Sequence, residues 1–388
     1  MPITKFVRPL SPCNIAVSRC SVPRDQASPR ILILRIGAHG DILMGTPLVT
    51  AIREAHPNAW ITWVVGETSA EAMDANPYLD EILIWNGREM EGRGAPQNFL
   101  LKPFNTAWLR RELEDRSFDI YISFQAEECL EFTRLIPSPI KIGFFDYFDI
   151  KKIDENTKAA ARRLFTHVIT KEDHPFHRTH QYLSVLKYLS IDSSTVPPMH
   201  LGYTSNDADI VERFLADRGV KSSEPYAVLA PMSTWPTRNW ELSRYAATSD
   251  YLQRELGLNV VVIGSRQELA PVQAMIGLAS SSPIEAAGYF SFRGMSALID
   301  HAKLLLGGDS GPMHVAGAVG TPYVAVFGAT PVDARAPLSG RGIALSVKVP
   351  CGPCDWLTCS NQAKPLLCLN LLSVDKVTEA CEIVLEQA

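Results

Sequence analysis

The segment Gly307-Gly308-Asp309-Ser310-Gly311-Pro312-Met313-His314 places glycines, a carboxylate, a hydroxyl and an imidazole in one short stretch. It follows the apolar run Lys303-Leu304-Leu305-Leu306 and leads into Val315-Ala316-Gly317-Ala318, so it reads as a strand, a tight turn and a helix start. Pro312 suits the first helical turn. Unpaired N–H groups and the positive dipole end at such a turn attract a diphosphate, with Ser310 supplying a hydroxyl and His314 a further donor. The same residues also suit an ordinary capped helix with packing glycines, and on residues alone the two readings stand level.

Three other loops carry comparable chemistry. Asp41 closes Arg35-Ile36-Gly37-Ala38-His39-Gly40-Asp41, where a loop becomes a helix; Asp is favoured there as an N-cap. Pro231-Met232-Ser233-Thr234-Trp235-Pro236-Thr237-Arg238-Asn239-Trp240 offers the hydroxyls of Ser233 and Thr234 and the fixed charge of Arg238. Trp235 and Trp240 read as packing residues, and a surface cation is the lesser alternative for Arg238. Glu268, past Ile263-Gly264, reads from residues alone as an exposed acid at a helix start.

Cysteines are scattered at Cys13, Cys20, Cys129 and Cys381 and clustered at Cys351, Cys354, Cys359 and Cys368. The cluster suits tetrahedral thiolate coordination of structural zinc or iron, with unligated thiols or disulfides as alternatives; four thiolates would leave no open position for catalysis. Scattered thiols without an export signal point to a reducing compartment, hence a cytoplasmic protein. His174, His177 and His180 are interrupted by Pro175 and read as loop and helix-start residues. Lys141, Lys151, Lys152, Lys158, Arg162 and Arg163, diluted by nearby acids, read as solvated surface that an acidic glycolipid would put to use.

The elements that must hold these loops form two series. Ile31-Leu34, Trp60-Val65, Ile82-Trp85 and Asp119-Ser123 are strand-sized runs spaced for intervening helices, and Tyr226-Leu229, Val260-Ile263, Lys303-Leu306 and Tyr323-Phe327 repeat the pattern. The polar, proline-containing stretch Asp192-Pro198 lies between them. Two parallel α/β domains facing each other make a cleft at the carboxyl ends of their strands. The expected division is a loosely ordered extension over 1–29, a first domain over 30–200, and a second over 201–388 whose terminal helix could pack back on the first.

Bulk numbers agree. The 388 residues exceed what one compact core usually serves, and 37 Lys plus Arg against 42 Asp plus Glu give a net charge of -5, no general field for nucleic acid. No apolar run approaches the roughly 20 residues that cross a bilayer.

On these motifs the sequence resembles glycosyltransferase family 9, the bacterial lipopolysaccharide heptosyltransferases and their relatives. The glycine-rich segment is similar to the family signature, Arg35 to Asp41 followed by Pro47 to its first loop, and Pro231 to Trp240 to its donor-side loop, in the family's order from about residue 30 onward. The resemblance implies the GT-B architecture, two facing Rossmann-like domains. It implies an inverting, metal-independent transfer of a sugar, heptose from ADP-heptose being the leading case, from a nucleotide diphosphate-sugar to a glycolipid at the cytoplasmic membrane face. Alternatives are another nucleotide-sugar, a protein acceptor, or a catalytically silent scaffold or assembly subunit.

By resemblance Asp41, beside Gly40 on the acceptor-side loop, becomes the general base, and Arg238 stands where many members have Lys and meets the leaving diphosphate. Ser310, Gly311 and His314 would hold that diphosphate and Asp309 the sugar. Glu268 would take the nucleotide ribose, and Phe290 would shape the base pocket. Many members carry a comparable four-cysteine cluster, and one branch uses it for iron.

Overall fold

A computed structural model describes residues 28–85, 112–113, 115–126, 130–145, 155–170, 176–192, 194–338 and 340–387. Of the expected extension only residues 28 and 29 are described; Cys13, Cys20, Cys129, His174, Lys151, Lys152 and the side chain of Lys158 lie outside the described residues.

The apolar runs form two separate parallel sheets. β1 (Arg30–Leu34), β2 (Trp60–Gly66), β3 (Glu81–Trp85), β4 (Ile120–Ser123), β5 (Ile140–Phe144) and β6 (His167–Ile169) pair in the order β3-β2-β1-β4-β5-β6. β7 (Tyr226–Ala230), β8 (Asn259–Val262), β9 (Ile284–Glu285), β10 (Leu304–Gly308), β11 (Tyr323–Phe327) and β12 (Gly342–Ser346) pair as β12-β11-β10-β7-β8-β9. Read from the other edge, the second order is the same as the first. Central strands covered on both faces must be apolar throughout, and Ile31 to Leu34 and Val260 to Val262 are buried accordingly. The expected runs are all strands. β5, β6, β9 and β12 were not anticipated: β6, β9 and β12 are edges, where one flank needs no apolar run, and β5 carries Lys141, whose amine donates to the Thr133 carbonyl at 2.9 Å.

In each sheet the winding reverses beside the first strand, between β1 and β4 and between β7 and β10. Doubly wound sheets bind ligands at that switch point, outside the strands' carboxyl ends. The loops that leave β1, β7 and β10 carry Asp41, Arg238 and Asp309.

The helices that matter to the cleft are α1 (His39–Ala55), α2 (Arg178–Leu183), α3 (Phe292–Asp300), α4 (Gly311–Val319) and α5 (Val332–Arg335); α6 (Val374–Glu386) closes the chain. Ile42 to Ile52 of α1 are buried without a break, because the helix lies between its own sheet and α4 of the other half. Pro47 inside α1 cannot bond the carbonyl four residues back; the Thr46 hydroxyl donates to that Leu43 carbonyl at 2.7 Å instead. The same hydroxyl accepts from His200 N at 3.0 Å, tying the interdomain segment to α1. One apolar cluster therefore runs from Ile31 and Leu48 through Met313 and Val315 to Val228.

The terminal helix α6 lies on the second sheet rather than reaching back to the first. Val377, Ala380, Cys381 and Val384 are buried in the cluster of β7, β8, β10 and β11, and that apolar stripe leaves its other face to solvent.

Candidate functional site

Between the sheets lies a cleft of about 880 Å³, lined from the first half by Ala38 to Asp41, Thr68 and Glu71 and from the second by Ser233, Thr234, Arg238, Glu268, Phe290 and Asp309 to Pro312. Two helices point their N-termini into it. α1 starts at His39 after Ala38, and α4 starts at Gly311 after Ser310, and neither start receives a side-chain cap. Their uncapped N–H groups and positive dipole ends make that end of the cleft attractive to anions.

The two starts touch. A Cβ built on Gly40 would stand 2.6 Å from Cδ2 of His314, so the glycine lets the first-half loop close onto the second-half imidazole. His39 stacks on Phe292 of α3 with ring centroids 4.4 Å apart and bonds the Thr68 carbonyl at 2.7 Å through Nε2. Gly40 is thus a contact between the halves as well as part of the segment that leaves β1.

Asp41 is the third residue of α1 and does not cap it. Its Oδ2 accepts from Arg35 Nη2 at 2.6 Å, and its Oδ1 faces Arg178 Nε at 3.7 Å and Arg335 Nη1 at 3.9 Å. Burial alone would raise the carboxyl's pKa, but Arg35, Arg178 and Arg335 outweigh it and hold the group well below the usual carboxylate range. The side chain is ionised, and buried Oδ1 accepts no hydrogen bond among the described residues.

Arg238 ends the turn Pro236–Arg238, with its guanidinium 4.0 Å over the Trp235 ring; Trp235 is a platform for the cation rather than simple packing. Arg238 Nη1 is 3.3 Å from Oδ2 of buried Asp309, and that oxygen too accepts no hydrogen bond. A Cβ on Gly308 would lie 3.0 Å from the Arg238 carbonyl, which explains the glycine before Asp309. Ser233 N donates to Asn239 Oδ1 at 2.7 Å and Ser233 Oγ to the Asp309 carbonyl at 3.4 Å, fixing the loop after β7 against the loop after β10.

His314 is buried with Nδ1 unpartnered. Desolvation lowers its pKa to about 4 against the partial opposition of Asp309 and Asp41, so the ring is neutral near pH 7 and donates from one nitrogen only. Glu268 keeps a share of the helix-start reading: it closes a capping box, accepting from Ser265 N at 2.7 Å, while still lining the cleft. Phe290 lines the same end and packs on Phe214 at 4.8 Å. Trp240 is buried and donates to the Leu372 carbonyl at 3.2 Å.

The residues that the motifs left out are Arg178, Arg335, Asp355 and, as a partner of Asp41, Arg35. Arg335 ends the short helix α5 that follows β11, so strand-end position alone could have singled it out. Arg178 follows His177, which caps α2 by accepting from Thr179 N at 3.1 Å and donates from Nε2 to the Ala336 carbonyl at 2.8 Å. One imidazole thereby ties the segments that carry Arg178 and Arg335. Among the described residues four guanidinium groups (Arg35, Arg178, Arg238, Arg335) thus meet three carboxylates (Asp41, Asp309, Asp355) beside these loops.

Cys351, Cys354, Cys359 and Cys368 all border one small cavity beside Thr237 and Ala329. Asn361 Nδ2 donates to Cys351 Sγ at 3.5 Å and Leu366 N to Cys359 Sγ at 3.4 Å. Among the described residues no three His, Cys, Asp or Glu side chains stand close enough to hold an ion, so the donor set is gathered but not closed. No helix among the described residues is long and apolar enough to cross a membrane.

The profile of glycosyltransferase family 9 (heptosyltransferase) matches residues 107–364. Lipopolysaccharide heptosyltransferase 3 of Escherichia coli K12 is 28% identical over 298 residues, 75% of this chain and 80% of that protein. Among solved structures, a family 9 glycosyltransferase from Veillonella parvula superposes with a TM-score of 0.76 at 23% identity, covering 93% of this chain and 98% of that one. The E. coli ADP-heptose lipopolysaccharide heptosyltransferase II superposes with a TM-score of 0.69 at 17% identity, covering 92% and 99%.

Proposed function

Because the chain belongs to glycosyltransferase family 9 and is a glycosyltransferase of GT-B fold, we propose that it transfers a heptose from ADP-heptose to a lipopolysaccharide-core-type glycolipid. The observation that carries the reading is the convergence on one cleft of Asp41 from the first half with Asp309 and His314 from the second, beside two helix starts that carry no side-chain cap.

In the proposed reaction the diphosphate lies across the start of α4, against the Ser310 hydroxyl and the Gly311 and neighbouring N–H groups, with Arg238 over it. Asp309 accepts from a sugar hydroxyl, and His314, neutral, donates to phosphate or sugar. Ser233 and Thr234 line the same end, Glu268 offers its remaining oxygen to the ribose, and Phe290 borders the base. The acceptor hydroxyl approaches the Asp41 carboxylate, gives up its proton there and attacks the anomeric carbon as the bond to the diphosphate breaks, inverting the configuration. Arg238 and the α4 dipole meet the charge that develops on the leaving group, without a divalent ion. Asp41's low proton affinity in the free protein fits this role if anionic substrate groups engage Arg178 and Arg335, since each guanidinium drawn away raises the carboxylate's basicity.

An acidic glycolipid suits the positive excess beside Asp41, and such an acceptor places the protein at the cytoplasmic membrane surface. The test offers the purified protein ADP-heptose, UDP-glucose, UDP-N-acetylglucosamine and GDP-mannose with a heptose-deficient lipopolysaccharide core. Transfer from ADP-heptose with inversion is expected; transfer only from another donor would overturn the donor assignment.

A further inference from the structure

Arg238 and Arg335 share a third carboxylate, outside the family-like motifs. Asp355 Oδ1 lies 3.8 Å from Arg238 Nη2, and Asp355 Oδ2 lies 3.5 Å from Arg335 Nη2. The opposite nitrogens of the same two guanidinium groups face Asp309 Oδ2 at 3.3 Å and Asp41 Oδ1 at 3.9 Å. Each arginine is therefore suspended between a cleft carboxylate and Asp355. The turn Pro236–Arg238 and helix α5 are far apart in sequence, and one carboxylate sets the distance between their charges.

The backbone at Asp355 is shaped for this. Its φ is +50°, in the left-handed region that few residues other than glycine, Asn and Asp enter readily. Asp355 N donates to the Ala329 carbonyl at 2.8 Å, and the Thr237 hydroxyl donates to the carbonyl of Trp356 at 2.6 Å. The loop is thus pinned beside both arginines, by Thr237 next to Arg238 and by Ala329 ahead of α5. Cys354 precedes Asp355, and the cavity bordered by the four cysteines touches the same Thr237 and Ala329. Among the described residues Oδ1 accepts no hydrogen bond, while Oδ2 accepts a long one from Arg335 Nη2, so the hold on Arg238 is electrostatic.

We propose that Asp355, presented by the cysteine-bearing loop, is a positioning residue that holds the Arg238 and Arg335 guanidinium groups over the diphosphate end of the cleft. The inference rests on the reading of that end as a diphosphate site. Without the Asp355 charge, Arg238 is drawn onto Asp309 and Arg335 onto Asp41, and both turn away from the ligand.

The variant that isolates the charge is Asp355→Asn, because Asn matches Asp in shape and tolerates a left-handed backbone equally well. Calorimetry compares wild type and variant for the diphosphate and the monophosphate of adenosine, uridine and guanosine. In the nucleoside the wild type prefers, the diphosphate should bind about five- to tenfold more weakly to the variant while the monophosphate is unchanged, a loss typical of one partly buried charge pair. Asp355→Gly, which also adopts the left-handed conformation, should repeat the result and stands in if the first variant does not fold. Unchanged affinities for both ligands, or an equal fall in both, would overturn the positioning role. A wild type that binds ADP yet does not turn over ADP-heptose removes the donor assignment alone, and the diphosphate-to-monophosphate comparison still judges Asp355. A wild type that binds no nucleoside diphosphate overturns both.

Discussion

Gly40 and His314 belong to different halves of the protein, yet a Cβ on the first would stand 2.6 Å from Cδ2 of the second. The absence of a side chain at residue 40 sets how closely the halves approach at this end of the cleft. Gly40→Ala should gain a few tenths of a kcal/mol in helix propensity at α1 but lose about 1–3 kcal/mol to overpacking. Thermal unfolding should show a net fall in midpoint, and turnover should drop about tenfold or more as His314 is displaced. An unchanged midpoint with full turnover would mean that the halves do not pack this closely in solution.

Asp41→Asn keeps the side chain's shape and removes its basicity. Turnover should fall about 10²- to 10⁴-fold, the usual range for losing a general base, while affinity for the donor nucleotide changes little. Steady-state rates beside calorimetric binding make the comparison; equal turnover in variant and wild type would sink the base assignment.

Arg238→Ala removes the charge over the leaving group and leaves buried Asp309 without its nearest cation. The rate should fall about 10²-fold or more, and stability by about 3 kcal/mol. Arg238→Lys keeps a positive charge and should recover much of the rate, but not the stacking on Trp235. Loss of stability without loss of rate would assign Arg238 to the scaffold.

His314 gives the protein a pH dependence with a definite sign. Its folded-state pKa, about 4, lies below the ordinary 6.5, so the neutral ring contributes stability that is fully present above pH 6.5 and is lost as pH falls from there through about 4. A shift of that size corresponds to about 3 kcal/mol. Urea unfolding between pH 4 and 7 should therefore show a steeper loss of stability in wild type than in His314→Gln; parallel curves would show that the imidazole is not buried neutral.

The cysteine cluster makes a separate prediction. The four sulfurs border one cavity but no three stand close enough to hold an ion as they lie, so a zinc or iron ion has to draw them together; if it does, purified protein carries one equivalent that Cys354→Ser loses. Elemental analysis decides it: protein without metal whose four thiols all react with Ellman's reagent would show a reduced, unligated cluster.

Much of the fold was legible in the sequence because buried parallel strands demand uninterrupted apolar runs, and those around Ile31, Val228, Val260 and Leu305 were plain. The edge strands β6, β9 and β12 were not, since an edge needs little apolar surface and leaves only a weak periodicity. The resting place of α6 was also hidden: its apolar stripe names a buried face without naming the sheet that buries it.

The sequence by itself determined which loops carry the chemistry. Glycines, hydroxyls and carboxylates at strand ends announce Asp41, Arg238 and Asp309 to His314 through local turn geometry that a short stretch of chain contains. Only the tertiary structure decided what those groups face. Asp41 is ringed by Arg35, Arg178 and Arg335, and Arg335 and Arg238 converge on Asp355, because two sheets with the same winding order bring their switch points together. Coulomb interactions depend on distance in space, and no spacing along the chain encodes the 3.9 Å between Arg335 and Asp41.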